Sequence, residues 1–424
     1  MRFRIIGISL FILLFACGSV WAKPANEEPL IRVGLLTGQS SVTVAADASF
    51  YLLTDNRSGG QKAYRAGEKL TIAVAGGRLT VNGATVPGAA VRLAFSAASG
   101  AEVNEAGKSN RQGRFLLVNG KRYRGIVEIR RQEQGLTVIN ILPLEDYLYG
   151  VVPREIPPAW PLEAVRAQAV AARSYALASG SKHAAQGFDV CTTVDCQVYG
   201  GRDAEAERSN QAVDDTRGMV LTYQGKVITA FFHASSGGHT ENSENVWGGA
   251  LPYLRGVPDF DQQSPRFSWE RRVGLARLTE LLRSTGVGEI TAIALSPLGR
   301  QPVKADDRGV SGRVKTVVIS GKTGSVRLSG AQLSSLLGLP STLFEVAVVR
   351  DGTATASRGN GRWQVKDIKR DTLLLSGRGA GHGVGMSQWG AKAMAEKAPA
   401  GSKAAYKAIL AHYYPGTTVD NWYK

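Results

Sequence analysis

The sequence predicts an α+β protein, in which a β-rich N-terminal region is followed by a mixed α+β core with a central alanine-rich helix. Between residue 30 and about residue 145, short runs of β-branched and aromatic residues are separated by Gly, Asn and Asp. This spacing is typical of the strands of a sandwich or barrel-like module. After residue 145 the apolar residues recur at helical spacing, and strand and helix patterns then alternate. The length allows two or three domains with their own cores.

The central helix is predicted to follow Pro161, a residue suited to the first helical turn because its missing N–H is not needed there. Apolar residues then recur along one helix face, at Leu162, Val165, Ala169, Ala172 and Ala176. A helix so rich in alanine can approach another backbone closely, so we expect it to be central. Gln168, Arg173 and Tyr175 are then expected to form hydrogen bonds in a site above it.

The remaining patterns divide the chain. We expect a signal peptide over 1–22, a β-rich region over 23–120 and a core over 121–424 that contains a β-rich subdomain at 265–365. Within the core, MVLTYQGKVITAFFHASS predicts a β-hairpin that turns at Gln224-Gly225. The segments SQWGAKAMAEK and AAYKAILAHYY predict two C-terminal helices.

The N-terminus carries an export signal. Arg2 and Arg4 precede an apolar run, and Val20-Trp21-Ala22 places small residues where signal peptidase cuts. No later stretch approaches the roughly 20 apolar residues of a transmembrane helix. We therefore expect a periplasmic, cell-wall-associated or extracellular protein.

A second interpretation of the N-terminus concerns Cys17. The segment LFACG loosely resembles a bacterial lipoprotein cleavage site, although Phe15 is bulky for that role. In this alternative Cys17 carries a lipid, and only then is a membrane among the partners.

The formal net charge is +16, from 51 Lys+Arg against 35 Asp+Glu. Such an excess favours a polyanionic partner, and for an exported protein wall polymers and anionic lipids fit better than nucleic acid. The basic residues do not cluster with aromatic residues as single-strand binders require. The alternative is that the excess is only a solvated surface.

Cys191 and Cys196 are the cysteines left after cleavage at Ala22, and an oxidising compartment would let them pair. Zinc is the alternative, because the C-x4-C spacing suits a ligand pair. Two thiolates need two more ligands, however, and His183 is the one nearby histidine. The sequence therefore favours a disulfide and no metal.

Glu155 lies in an apolar, proline-rich segment that is expected to be a turn just ahead of the central helix. The dipole of that helix would favour the charged carboxylate by about 0.3–1 kcal/mol. Burial among the surrounding apolar residues would favour the neutral acid by as much as about 3–5 pKa units. A carboxyl group kept protonated near neutral pH is what general-acid cleavage of a glycosidic bond needs. The alternative is a solvated loop glutamate.

The segment HASSGGHTENSENVWGGALPYL is dense in small polar groups and aromatic rings, which suits a carbohydrate cleft. Ser236 and Glu244 could bond sugar hydroxyls and amides, and Trp247 offers a ring face. A surface loop is the alternative. Metal binding through His233, His239 and Glu241 is disfavoured because their spacing matches no zincin motif.

The segment RGAGHGVGMSQWGAK has glycine at alternate positions ahead of a helix. A nucleotide-phosphate site is disfavoured because Gly-Lys-Ser/Thr is absent. The glycines instead let the chain pass close to a ligand or another backbone, with His382, Ser387 and Gln388 presented at the rim.

Several segments together resemble the SpoIID/LytB family of bacterial cell-wall proteins. They are LPLEDYLYGVVPREIPPAWPLEAVRAQAVAARSYAL, DVCTTVDCQVYGG, AFFHASSGGHTENSENVWGGALPYLRGV, the run from RVKTVVISG through LSSLLGLPSTLF, and GRGAGHGVGMSQWGAKAMA. The resemblance covers roughly residues 120 to 420. It implies a lytic transglycosylase that cuts peptidoglycan strands from which an amidase has removed the stem peptides, with Glu155 as acid/base. The alternative is a non-catalytic, wall-binding enhancer of a cell-wall amidase, because the LytB branch is described in that way.

One residue departs from the family pattern. Some members resemble zinc proteins at the two-cysteine segment and have a histidine before the second cysteine, where this chain has Asp195. This difference also favours the disulfide over zinc.

Overall fold

The computed structural model describes residues 27–54, 60–96, 113–180, 182–351, 353–354, 357–358, 361–399 and 401–423, with only the backbone at 357–358. The expected signal peptide over 1–22 and Cys17 lie outside these residues, so both stay predictions. No helix in the described ranges is long and apolar enough to cross a membrane.

The N-terminal region is rich in β-strands, as predicted. Its strands are β1 (Leu30–Gln39), β2 (Ser41–Ala46), β3 (Phe50–Thr54), β4 (Gln61–Tyr64), β5 (Leu70–Ala75), β6 (Arg78–Val81), β7 (Ala84–Thr85), β8 (Ala90–Ala94), β9 (Leu116–Val118), β10 (Lys121–Tyr123), β11 (Ile126–Gln132) and β12 (Gly135–Pro143).

These strands form two sheets. Together with β13 (Val190–Cys191), a seven-stranded sheet has the order β13-β1-β12-β11-β8-β3-β4, and a six-stranded sheet has the order β10-β9-β2-β5-β6-β7. In β2, Val42 and Val44 are buried while Ser41 and Thr43 are exposed. The alternation places one face of the strand in the core, as a period of two residues requires.

The helices are α1 (Leu144–Glu155), α2 (Leu162–Ala178), α3 (Glu207–Asp215), α4 (Ser243–Trp247), α5 (Leu275–Leu281), α6 (Gly330–Leu337), α7 (Gln388–Glu396) and α8 (Ala405–Tyr413). The alanine-rich helix predicted after Pro161 is α2, and it packs against α1, α3, α7 and α8. Ala164, Ala167 and Ala171 are fully buried in these contacts. The prediction of a central helix is confirmed.

The prediction of a turn around Glu155 is wrong, because Glu155 is the last residue of α1. Gly150 and Pro153 lower the intrinsic helix propensity of this segment. The helix forms nevertheless, with a buried apolar face at Leu144, Tyr147, Leu148 and Val151. This is the i, i+3, i+4, i+7 spacing of a helix face, so tertiary packing overrides propensity here.

The middle of the chain contains β14 (Met219–Tyr223), β15 (Lys226–Val227) and β16 (Phe232–His233). The predicted hairpin is confirmed for β14 and β15, whose turn has positive φ at Gln224 and Gly225. Such a turn matches the twist of the two strands.

A second hydrophobic core lies in the β-rich subdomain and continues to Leu375, past the expected end at residue 365. Its strands are β17 (Ser268–Gly274), β18 (Ile290–Ala294), β19 (Thr316–Gly321), β20 (Ser325–Ser329), β21 (Phe344–Arg350), β22 (Thr353–Ala354), β23 (Ser357–Arg358), β24 (Arg362–Gln364) and β25 (Asp371–Arg378). They form a four-stranded and a five-stranded sheet. The first core, in contrast, joins the N-terminal sheets to α1, α2 and the C-terminal helices.

The chain returns to the first core through β26 (Met386–Ser387). The last strand, β27 (Thr418–Asn421), pairs with β14 and completes a three-stranded sheet of order β15-β14-β27. Strand β26 pairs in parallel with β16. This pairing brings the glycine-rich segment beside the AFFHASS segment, although 150 residues separate Phe232 from His382 along the chain.

Candidate functional site

A cavity of about 590 Å³ lies where α1, α2, β16 and the glycine-rich segment meet. Its volume falls in the range typical of ligand sites. Fourteen residues line it, namely Glu155, Tyr175, Lys182, Val194, Asp195, Cys196, Phe231, Phe232, His233, Ala234, Trp247, Gly381, His382 and Gln388.

Glu155 is the last residue of α1 and is partly buried beside the cavity. Burial raises the pKa of its carboxyl, and the Val198 N–H bond and the charge of Arg154 offset this only in part. The N–H of Val198 donates to Oε1 at 2.8 Å. The carboxyl end of a helix also disfavours a negative charge, opposite to the effect expected from the N-terminus of α2. Both effects therefore favour the neutral acid.

Aromatic rings form one wall of the cavity. The Phe231 ring lies 4.4 Å from that of Trp247 and 5.6 Å from that of Tyr175, measured between centroids. Trp247 is 47 % exposed. Ring faces that are apolar and accessible suit the C–H face of a sugar.

Two histidines complete this wall and are uncharged. Burial, and then Arg313, lower the pKa of His382 to about 4, and both of its ring nitrogens are bonded to backbone. Burial, and then His382 and Arg313, lower the pKa of His233 well below its usual value. His233 Nδ1 donates to the Val384 carbonyl, whereas its buried Nε2 has no hydrogen-bond partner in the described part of the chain. In the neutral ring that nitrogen is an acceptor, and it is shielded from solvent.

The alternate glycines let the segment that contains His382 pass close to another part of the backbone. Gly379, Gly381, Gly383 and Gly385 all have positive φ, a conformation that other residues rarely adopt. A Cβ at Gly385 would lie 2.1 Å from the carbonyl oxygen of Phe231. The expected close approach is therefore to another backbone strand.

A cluster of four possible ligands borders the cavity. His183, Cys191, Asp195 and Cys196 bring their ligand atoms within 4.8 Å of one another. The cysteines are free thiols with their sulphur atoms 3.1 Å apart, longer than the 2.03–2.05 Å of a disulfide. His183 Nε2 lies 3.2 Å from the Cys196 sulphur and 3.5 Å from Asp195 Oδ2.

These four side chains fit zinc, because two sulphurs, one nitrogen and one oxygen can complete a tetrahedral site. With Asp195, the cluster contains the fourth possible ligand that the sequence argument lacked. The disulfide stays a prediction, and the geometry suits the metal alternative. A zinc ion there would fix the loop that leads to Val198, the donor to Glu155.

Two family models match the chain. One, described as "Stage II sporulation protein" (SpoIID), matches residues 132–223, which include Glu155 and the four-residue cluster. The other, "Domain of unknown function (DUF8618)", matches residues 250–385 and hence the whole of the β-rich subdomain.

Individual proteins match a longer part of the chain than either family model does. The chain is 32 % identical over 303 residues to "Stage II sporulation protein D" of Bacillus subtilis, covering 66 % of this chain and 76 % of that protein. The chain belongs to the SpoIID family. It is also 35 % identical over 330 residues to an uncharacterized protein of Brachyspira hyodysenteriae, covering 76 % of this chain and 80 % of that one. A third relative, "Amidase enhancer" of Bacillus subtilis, is 33 % identical over 299 residues, which are 65 % of this chain but only 40 % of the relative.

In this SpoIID-family chain, the cavity brings together five of the residues predicted for the site. They are Glu155, Tyr175, Trp247, His382 and Gln388. Sequence reasoning did not select Lys182 or Val194, and it included Ala234 only as part of the HASSGG segment. Phe231 and Phe232 had a signal in the AFFHASS segment, whereas Lys182 had none because it follows α2 in an irregular connection.

The other predicted residues lie behind the cavity. Gln168 is fully buried and accepts a 3.3 Å hydrogen bond from Gln388 Nε2, so it positions a lining residue. Ser387 caps α7 by accepting the Gly390 N–H at 3.2 Å. Arg173 is fully buried against Glu145.

Ser236 and Glu244 also do not line the cavity. The buried Ser236 hydroxyl donates to Asp259 at 2.5 Å. Glu244 forms an ion pair with Arg255 at 2.6 Å. Their partners give these residues structural roles, and substrate contacts are left to the residues that line the cavity.

Proposed function

We propose that the protein is an exported lytic transglycosylase that cuts peptide-stripped peptidoglycan strands, with Glu155 as general acid/base. The observation that supports it best is the Glu155 carboxyl, whose pKa is raised by burial and which lies at a cavity with an aromatic wall. Membership of the SpoIID family and a relative named "Amidase enhancer" support a cell-wall-related role.

The chemistry needs one carboxyl group. Protonated Glu155 donates its proton to the glycosidic oxygen as the bond from that oxygen to the anomeric carbon breaks. The resulting carboxylate then accepts the proton of the sugar's own 6-hydroxyl, whose oxygen closes on the anomeric carbon to give a 1,6-anhydro end. Because Oε1 accepts the Val198 N–H, Oε2 is the oxygen left to carry the proton.

Asp195 is the second carboxyl group at the cavity, and hydrolysis through a paired carboxylate would need such a group. A hydrogen bond from Lys182 lowers the pKa of Asp195, so it is ionised and directed to Lys182 and His183. That orientation disfavours Asp195 as the base that activates water. The ends of the products distinguish the two reactions.

A sugar in the cavity would meet the aromatic wall rather than Nε2 of His233, which is buried. The Phe231 and Trp247 rings would stack on the sugar face. Together these groups bind one sugar beside the acid.

A second candidate is a wall-binding enhancer of an amidase, which the name of one relative favours. The test is mass spectrometry of peptide-free glycan strands incubated with the mature protein and with Glu155→Gln. Anhydro-ended fragments that the substitution abolishes would support the transglycosylase. Reducing ends would indicate hydrolysis, and bound but uncut strands would favour the enhancer.

A further inference from the structure

A single cationic side chain, Lys182, lines the cavity. Among the side chains that line it, Lys182 is the one cation, since the imidazoles of His233 and His382 are neutral. Among the residues that the structure describes, Asp195 is its one ion-pair partner, with Nζ 2.9 Å from Oδ1.

Lys182 is only partly engaged. Its Nζ also donates to the carbonyl oxygen of Asp195, so two of the three ammonium donors are used. The side chain is 38 % exposed and Asp195 is 61 % exposed. A third donor is thus available to an anion in the cavity.

Peptide removal creates such an anion. When an amidase hydrolyses the amide that joins the stem peptide to muramic acid, water adds across the C–N bond, giving an amine and a free lactyl carboxylate. Strands that keep their peptides have a neutral amide there. The lactyl group belongs to the same sugar ring whose anomeric carbon is attacked, so a group that binds it must share the cavity with the acid.

We propose that the Lys182 ammonium pairs with this lactyl carboxylate and thereby selects peptide-stripped strands. The inference rests on the proposed function, because it assumes that glycan occupies the cavity. It adds a determinant of specificity, Lys182, to the acid/base Glu155. The competing role for Lys182 is only to neutralise Asp195 and hold its loop.

The experiment compares two preparations of the same strands, one with free lactyl carboxylates and one with these groups converted to neutral methylamides. The mature protein, Lys182→Met and Lys182→Arg are assayed on both for kcat/KM. Lys322→Met is the matched control, because its exposed pair with Glu289 lies in the β-rich subdomain. Binding of both strands is measured in parallel with Glu155→Gln as the background.

A charge-assisted hydrogen bond predicts that Lys182→Met lowers the preference for carboxylate strands, measured as the ratio of kcat/KM on the two preparations, roughly 10- to 100-fold. Lys182→Arg should keep most of the preference, and Lys322→Met all of it. An equal loss on both strands, or no loss on either, would overturn the inference. If nothing is cut, the proposed function fails, and the ratio of the two dissociation constants with and without Lys182 still tests the charge preference.

Discussion

The Arg173 guanidinium forms a two-pronged ion pair with the Glu145 carboxylate in the core, with Nε 3.0 Å from Oε1 and Nη2 2.6 Å from Oε2. Both side chains are inaccessible to solvent, at 0 % and 1 % exposure. The pair joins α2 to the first turn of α1, the helix that ends in Glu155. It therefore supports the acid from the opposite end of its helix.

Removal of Arg173 should destabilise the fold strongly. Arg173→Met leaves the Glu145 carboxylate buried without its cation, and such losses cost about 3–5 kcal/mol. Urea denaturation followed by circular dichroism measures the effect. In Lys322→Met, which breaks an exposed pair with Glu289, we expect a change of at most about 1 kcal/mol. Equal effects of the two substitutions would contradict the prediction.

The pH dependence of cleavage should follow Glu155. Its pKa is raised by burial, and the acid works in its protonated form, so activity should be lost as pH rises through that pKa. Above the midpoint kcat/KM should fall about tenfold per pH unit. The assay is the release of anhydro-ended fragments across pH 4 to 8, with folding checked at each pH. A rate that rises steadily across this range would exclude Glu155 as the general acid.

The same pKa shift predicts an effect on stability. A carboxyl whose pKa is higher in the folded state contributes stability at low pH that is lost as pH rises from its unfolded to its folded pKa. Because glutamine does not titrate, Glu155→Gln does not lose stability in this way as pH rises. Its side-chain oxygen can still accept the Val198 N–H. The variant should therefore gain stability relative to the parent between pH 4 and pH 8, measured as the urea midpoint. A constant difference between the two proteins would show that the pKa is not raised.

Glu241 holds the β-rich subdomain to the core. The buried carboxylate accepts the N–H groups of Val310 and Ser311 at 3.1 Å each, the Ser311 hydroxyl at 2.6 Å and the Asn245 amide at 2.8 Å. Glu241→Gln replaces an acceptor by a donor and leaves buried N–H groups unpaired. It should cost at least about 1–3 kcal/mol.

Limited proteolysis and urea denaturation of Glu241→Gln would check this role. We expect faster cleavage near residues 303–314 than in Ser311→Ala, which removes a single hydroxyl and should cost about 1 kcal/mol. If both variants behave like the parent, the carboxylate does not hold the two parts together.

Metal content should decide the state of the two cysteines. If His183, Cys191, Asp195 and Cys196 hold zinc, protein purified without chelator should contain about one zinc per chain, and Cys196→Ser should contain almost none. Elemental analysis gives the metal content, and titration of thiols in denaturant gives their oxidation state. Two titratable thiols with zinc are expected. If the protein contains no titratable thiols and no zinc, the disulfide predicted from the sequence is established.

The local part of this architecture could be predicted from sequence because it depends on short-range periodicity. The strands before residue 145, α2 and the β14–β15 hairpin each have an apolar spacing or a turn pair that favours one structure. Glu155 could be selected as the candidate acid because its segment matches a family pattern. The left-handed backbone of the glycine-rich segment follows from the absence of side chains at four alternate positions.

The tertiary structure decided what each polar side chain does. Arg173 and Gln168 both lie on the predicted helix. Arg173 is part of the core because it pairs with Glu145. Gln168 supports the cavity because it bonds to Gln388. Lys182 reaches the cavity although its own segment carries no signal. Helix α1 forms against its propensities because its apolar face is buried. Pairing and burial depend on groups distant in the chain, such as Glu241 and Ser311, 70 residues apart, and local sequence patterns do not contain that information.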